Sequence, residues 1–305
     1  MQVMEHERET LISAFSSITA FAFILLGFEA FPYQRDILES CTENKRLVVI
    51  TARQVGKTSC VAIFCLYFAF LSDLLKTPQT IVIASPTLRQ SSEMFAKIKA
   101  FLNKSPTLRT FITKETTSEL ELTCGSKIKT IPVGADGHGA RGQTASVLVL
   151  EESSYIPTEV VNTVLIPMVS ATNGQIVQIG TPWGRNHFYE ASRSSQWTVV
   201  HYDYSVCPLI SREFIAEQKA SLTDFQFKTE YLAQFVDQTS CFFPFNLISS
   251  CAEDYPLIGD EAILSAPKEA DMEMPTTPRE KPLIERYFAF NRRHGRFPTT
   301  VAEVM

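Results

Sequence analysis

Residues 47–58 read LVVITARQVGKT, and the apolar run SCVAIFCLYFAF follows at 59–70. Four consecutive apolar residues, Leu47–Ile50, are too short for a buried helix and suit a strand covered on both faces. The apolar run after Thr58 is long enough for a buried helix. A strand, a loop ending in Gly-Lys-Thr and a helix form the context of a phosphate-binding loop. Gly56 lets the backbone close around an anion, Lys57 reaches the β and γ phosphates of a nucleotide, and Thr58 offers a hydroxyl to Mg²⁺. The helix N-terminus adds amide donors and a favourable dipole. Thr51 stands where such loops usually carry their first glycine. The expected nucleotide-binding stretch is Thr51, Ala52, Arg53, Gln54, Val55, Gly56, Lys57, Thr58 and Ser59.

Downstream, VLVLEE at 147–152 is an apolar run ending in two acids. Adjacent carboxylates at the end of a buried strand repel each other and resist desolvation, so they point to a chemical role. Glu151 is placed to join the Mg²⁺ shell, and Glu152 to act as the general base that polarises an attacking water. Two further segments fit the same chemistry. Tyr33-Gln34, one helix before the loop, pairs an aromatic ring with an amide that can read an adenine edge. Gly180-Thr181-Pro182 ends the run IVQI, at the strand edge where open α/β sheets bind ligands, and Thr181 can sense the γ-phosphate.

Outward from these motifs, β-branched runs alternate with helical stretches between residues 30 and 205, the pattern of a parallel α/β sheet. Expected strands are Leu47–Ile50, Thr80–Ala84, Val147–Leu150, Gln175–Ile179 and Thr198–Tyr204, each covered by helices. Glu119–Val133 reads as a β-hairpin around Cys124-Gly125-Ser126. Two helices follow, Arg212–Ala220 and one from Asp224 behind a Thr223…Gln226 capping pattern. Residues 1–29 are expected to carry one helix packed on the following domain, 30–250 the nucleotide-binding domain, 251–282 a Pro- and charge-rich linker, and 283–305 a short helical tail.

Composition sets limits. Across 305 residues the net charge is −5, so any nucleic acid must be held by local Lys and Arg patches. The nearest to such a face is Lys97, Lys99, Lys104, Lys127 and Lys129. The seven cysteines show no CxxC pair and read as reduced, packed thiols rather than a zinc site or disulfide set. Residues 10–28 lack charge, yet Ser13, Ser16, Ser17 and Thr19 dilute them. Leu11, Ile12, Phe15, Ile18, Ala22 and Leu25 follow helical spacing, so a packed helix is expected there and no membrane role.

Taken in order, FPYQRDILES (31–40), TARQVGKT (51–58), SPTLRQSSEMF (85–95), GARGQTASVLVLEESSYIP (139–157), GTPWGRNHFYEA (180–191) and the segment 207–244 resemble the ATPase domain of viral and phage terminase large subunits. The resemblance covers about residues 20–250. It implies a P-loop NTPase of RecA/ASCE type, a three-layer α/β sandwich with a mainly parallel sheet. It also implies ATP and Mg²⁺ as cofactors, with Lys57 and Thr58 on phosphate and metal, Glu152 as catalytic carboxylate and Thr181 as coupling residue. Arg53 or Arg141 is implied as the arginine that stabilises the transferring phosphoryl group, Arg141 across a subunit boundary.

Two departures stand out. Glu151 occupies a position that is usually Asp, and residues 251–305 show no strand-borne acid cluster of the kind a nuclease half carries, so no DNA cleavage is expected. The implied setting is the host cytoplasm, with double-stranded DNA, a portal protein, a small terminase subunit and a homo-oligomeric ring as partners. A non-catalytic nucleotide-binding assembly module and a helicase-like remodelling ATPase stay open as alternatives.

Overall fold

The computed structural model describes residues 10–236. Within them lies an eight-stranded sheet ordered β3-β4-β5-β2-β6-β7-β1-β8. The strands are β1 (Arg46–Thr51), β2 (Thr80–Ser85), β3 (Ile112–Glu115), β4 (Glu119–Leu122), β5 (Lys127–Pro132), β6 (Val147–Glu151), β7 (Gln175–Gly180) and β8 (Thr198–Tyr202). Six neighbours, from β5 to β8, are parallel, and the β3–β4–β5 end is antiparallel.

Side chains alternate across the central strands. Ile81, Ile83, Val147 and Val149 enter a large core on one face, whereas Val82, Ala84, Leu148 and Leu150 enter a smaller one on the other. The large core lies beneath α1 (Ile18–Leu26), α2 (Pro32–Glu43), α3 (Lys57–Leu74) and α4 (Leu88–Leu102); the smaller lies beneath the helical segment Thr158–Val169. Helices on both faces make the expected three-layer sandwich. Helix α3 is apolar on nearly all sides because it runs through the larger core. Among the described residues it is the one helix long and apolar enough to cross a membrane, and two thirds of it is buried inside the fold.

The far end of α3 is fastened. Asp73, fully buried, accepts hydrogen bonds from Thr123 Oγ1 at 3.0 Å and the Cys124 amide at 2.6 Å, in the turn between β4 and β5. Those bonds hold its carboxyl below the usual carboxylate range against the opposing effect of burial.

Several details differ from the sequence reading. Helix is interrupted between residues 10–14 and α1, because Ser16 Oγ donates to Ser13 O at 2.7 Å and Ser17 caps α1 by accepting from Ala20 N at 3.0 Å. Ile12, expected on the packed stripe, faces out, as does Phe23, while Phe21 packs edge-on against Tyr67 of α3. Strand β8, expected to be covered, is an edge strand with Thr198, Val199 and His201 exposed. Strand β3 has no counterpart in the sequence reading; it extends the hairpin by one strand. The capping box at Thr223 and Gln226 is present at the start of α7 (Asp224–Glu230), which follows α5 (His187–Arg193) and α6 (Arg212–Ser221). Cys41, Cys60, Cys65, Cys124 and Cys207 are free thiols. The expected linker and tail, with Cys241 and Cys251, lie outside the described residues.

Candidate active site

The strand order brings the motifs together. β2, β6, β7 and β1 are parallel neighbours, so Ser85, Glu151, Gly180 and Thr51 end side by side on one edge of the sheet. The loop after β1 turns into α3 with Gln54 at φ 60° and Gly56 at φ 85°. Gly56 is required twice over: its backbone is left-handed, and a Cβ there would meet Gln34 Nε2 at 2.5 Å. Tyr33 Oη donates to the Val55 carbonyl at 2.9 Å and Gln34 Nε2 donates to the same oxygen at 3.2 Å. Gln34 Oε1 accepts from the Phe31 amide at 3.1 Å. Both side chains are buried, and these polar atoms brace the loop backbone where the sequence suggested base reading.

Two clusters meet at the loop's end. In the first, Lys57 is nearly buried at the N-terminus of α3, with Nζ 3.0 Å from Glu152 Oε1 and donating to Thr181 Oγ1 at 3.3 Å. In the second, Glu151 Oε2 accepts from Ser85 Oγ at 2.9 Å, and the Thr58 hydroxyl lies near enough to the same carboxyl group to favour its charged form. Burial, reinforced by the adjacent Glu152 carboxylate, pushes the Glu151 carboxyl up to about 7, against the pull of Ser85, Lys57 and Thr58. Glu152 takes a left-handed backbone, φ 49° and ψ 45°, directly after β6.

This donor set fits a nucleotide with its metal. An ammonium at a helix N-terminus beside a left-handed turn suits phosphate, and a hydroxyl with a carboxylate are the hard oxygen ligands that Mg²⁺ takes. No group of three or more His, Cys, Asp or Glu among the described residues forms a self-contained metal cage. A divalent ion at Thr58 and Glu151 would therefore complete its shell with phosphate oxygens and water.

The two candidate arginines sit differently. The Arg53 guanidinium is ion-paired with Glu230 of α7 and hydrogen-bonded by Tyr155, while its amide donates to Glu230 O at 3.0 Å. Arg141 is exposed on the loop before β6. The expected basic face is laced with acids. Lys99 lies 3.1 Å from Glu115, Lys127 is 3.3 Å from Glu121, and Lys129 is 4.0 Å from Glu119. Lys104 lies over the Phe101 ring, and Lys97 is exposed.

Sequence reasoning missed several polar residues packed around the acids: Ser85, Ser153, Ser154, Gln178, Asn186 and His187. They lie on four separate segments, Ser85, Ser153-Ser154, Gln178 and Asn186-His187, and only the sheet order brings these together.

The family model for the N-terminal part of the T4likevirus-type terminase large subunit matches residues 48–250. The terminase large subunits of Thermus phage G20c and Thermus virus P23-45 are each 28% identical over 122 residues, covering 34% of this chain and 25% of theirs. The match thus spans about a quarter of those relatives' length. The Thermus phage P74-26 large terminase ATPase domain superposes with a TM-score of 0.55 at 23% identity, over 70% of this chain and 97% of that one. The HK97 bacteriophage large terminase gives 0.58 at 17% identity, over 78% and 59%. The large terminase of another thermophilic bacteriophage, in complex with ADP, gives 0.54 at 12% identity, over 68% and 54%. These structures share the fold, that of a P-loop NTPase.

Proposed function

The chain belongs to the T4likevirus-type terminase large subunit family, and we propose that it is the ATP-hydrolysing motor that drives double-stranded viral DNA into a procapsid. The observation that carries this reading is the meeting of Lys57, Glu152 and Thr181 beside Thr58 and Glu151 on one sheet edge. The ADP complex of the thermophilic phage terminase supports ATP as the ligand.

In this reading the Thr51–Ser59 backbone and Lys57 hold the β and γ phosphates. Thr58 and Glu151 would hold Mg²⁺, which when bound neutralises phosphate charge. Lys57 exchanges its contact with Glu152 for phosphate oxygens, which frees that carboxylate to orient a water and take its proton. Because Thr181 touches Lys57, it registers whether the γ-phosphate is present and passes that state to the 180–191 segment. Tyr33 and Gln34 set the loop's shape from beneath. Arg53 is engaged by Glu230 and Tyr155, so the exposed Arg141 is the better candidate to reach a neighbour's phosphoryl group in a ring. Membership of the family supports translocation within the host cytoplasm, with a portal protein and a small terminase subunit as partners. We assign the motor to residues 30–250.

Glu151, standing where such sites usually carry Asp, favours one other reading, a module that binds ATP without turning it over. Mg²⁺-dependent hydrolysis with and without linear double-stranded DNA, beside Glu152→Gln, decides between them. Turnover that DNA stimulates and the substitution abolishes supports the motor; ATP bound without turnover overturns it.

A further inference from the structure

We propose that His187 is a positioning residue for hydrolysis: acting through Ser153, it holds the Glu152 carboxylate opposite Lys57. The proposal rests on the reading of Glu152 as the carboxylate that takes the water's proton.

A non-glycine residue in the left-handed region costs about 1–2 kcal/mol and persists only where its surroundings over-determine it. Glu152 is such a residue. Its own carboxylate cannot be the fastening, because its partner Lys57 is the group that must turn to phosphate. The fastening comes from the residue after it. Ser153 is fully buried; its hydroxyl donates to Gln178 Oε1 at 2.9 Å, and the same oxygen lies 3.0 Å from His187 Nε2.

A hydroxyl has one proton. With that proton on Gln178, His187 must be the donor to Ser153, which fixes the Nε2–H tautomer. Nδ1 is then the acceptor, 3.3 Å from the Thr158 hydroxyl. Burial holds the His187 imidazole down at about 4, so the ring is neutral as this tautomer requires.

The neighbouring bonds run the same way. Ser154 Oγ donates to the Thr181 carbonyl at 2.6 Å, and the Ser154 carbonyl accepts from Asn186 Nδ2 at 2.7 Å. Asn186 also caps α5, so two consecutive residues at the start of that helix grip the turn that carries Glu152. On the other side Gly180 packs against it: a Cβ there would lie 3.2 Å from the Ser153 amide nitrogen. His187 also lines a cavity of about 530 Å³, together with Thr158, Gln178 and Asn186. The cavity leaves room for a ring of similar size without the nitrogens, so hydrogen bonding can be removed separately from volume.

The test uses the full chain with Mg²⁺ and linear double-stranded DNA. His187→Phe is expected to lower kcat by about 10²-fold, the scale of an ångström's misplacement. ATP affinity, read by fluorescent-nucleotide titration, should stay within about twofold, because the phosphate loop is untouched. His187→Gln, whose amide can donate to Ser153, should restore most of the rate. Ser153→Ala should match His187→Phe, and the double variant should lose no more than either, as for groups that act as a unit. Equal losses in kcat and ATP affinity, or a His187→Phe rate within twofold of wild type, would overturn the proposal. A crystal structure of His187→Phe needs no turnover: Glu152 leaving the left-handed region and Lys57 supports it, and an unchanged Glu152 sinks it. Glu152→Gln separates the two levels, since full activity there removes the underlying reading whatever His187 does.

Discussion

Ser85 and Glu151, at the ends of adjacent parallel strands, share a 2.9 Å hydrogen bond that partly offsets the burial of the acid. Glu151 still titrates at about 7, raised from its ordinary value chiefly by burial. Metal ligation needs the carboxylate, so Mg²⁺–nucleotide binding at or below pH 7 should release a proton. Calorimetry in buffers of different ionisation enthalpy checks this. Affinity should strengthen as pH rises through about 7. Ser85→Ala removes a bond that favours the charged form, so the profile should move up by about one pH unit. An unmoved profile would break the link between this bond and the metal site.

The same group gives a stability prediction of definite sign. A carboxyl with a raised folded-state pKa stabilises the fold fully below its unfolded value, and that contribution is lost as pH rises through about 7. Glu151→Gln should therefore flatten the fall in melting temperature over that window, measured without nucleotide.

His187 acts oppositely. Its imidazole is held down at about 4, so the stability it contributes is present above its unfolded pKa and is lost as pH falls toward 4. Denaturant titrations at descending pH should show a weaker acid dependence for His187→Gln than for wild type.

Gly56 and Gln34 should be coupled. Gly56→Ala strains a φ of 85° and drives Gln34 Nε2 from the Val55 carbonyl. A loss of about 1–2 kcal/mol from the backbone alone is expected. Gln34→Ala should absorb the steric part, so the double variant should lose less than the sum of the singles in chemical denaturation. Strict additivity would show that the two do not touch.

Arg53 and Glu230 make a half-exposed pair, and such pairs contribute about 1 kcal/mol or less to stability. Glu230→Gln should leave the melting temperature nearly unchanged. A change in hydrolysis rate in the same variant would show that the pair matters to the site and not to the fold.

Much of this was legible in the chain. Strands β1, β2, β6 and β7 are buried on both faces, so they appear as apolar runs, broken in β7 only by Gln178, and the residues that end them are the site. Strand β8 has the same β-branched composition, but its exposure follows from its place at the end of the sheet order, which composition does not encode. Strand β3, with the sequence ITKE, is short and charged and gives no periodic signal. Tyr33 and Gln34 are the instructive pair: their chemistry suits a base, yet the Val55 carbonyl, 22 and 21 residues on, takes their hydrogen bonds. Arg53 meets Glu230 and Ser153 meets His187 only because the sheet brings distant segments together, and no local spacing announces either.

Helix α3 joins the phosphate loop at Lys57 to the β4–β5 turn through the buried Asp73. Its 18 residues make a rod of about 27 Å, packed along its length and pinned at both ends. A rod so held does not bend to absorb a small displacement. It therefore fixes how far the phosphate loop stands from the β4–β5 turn.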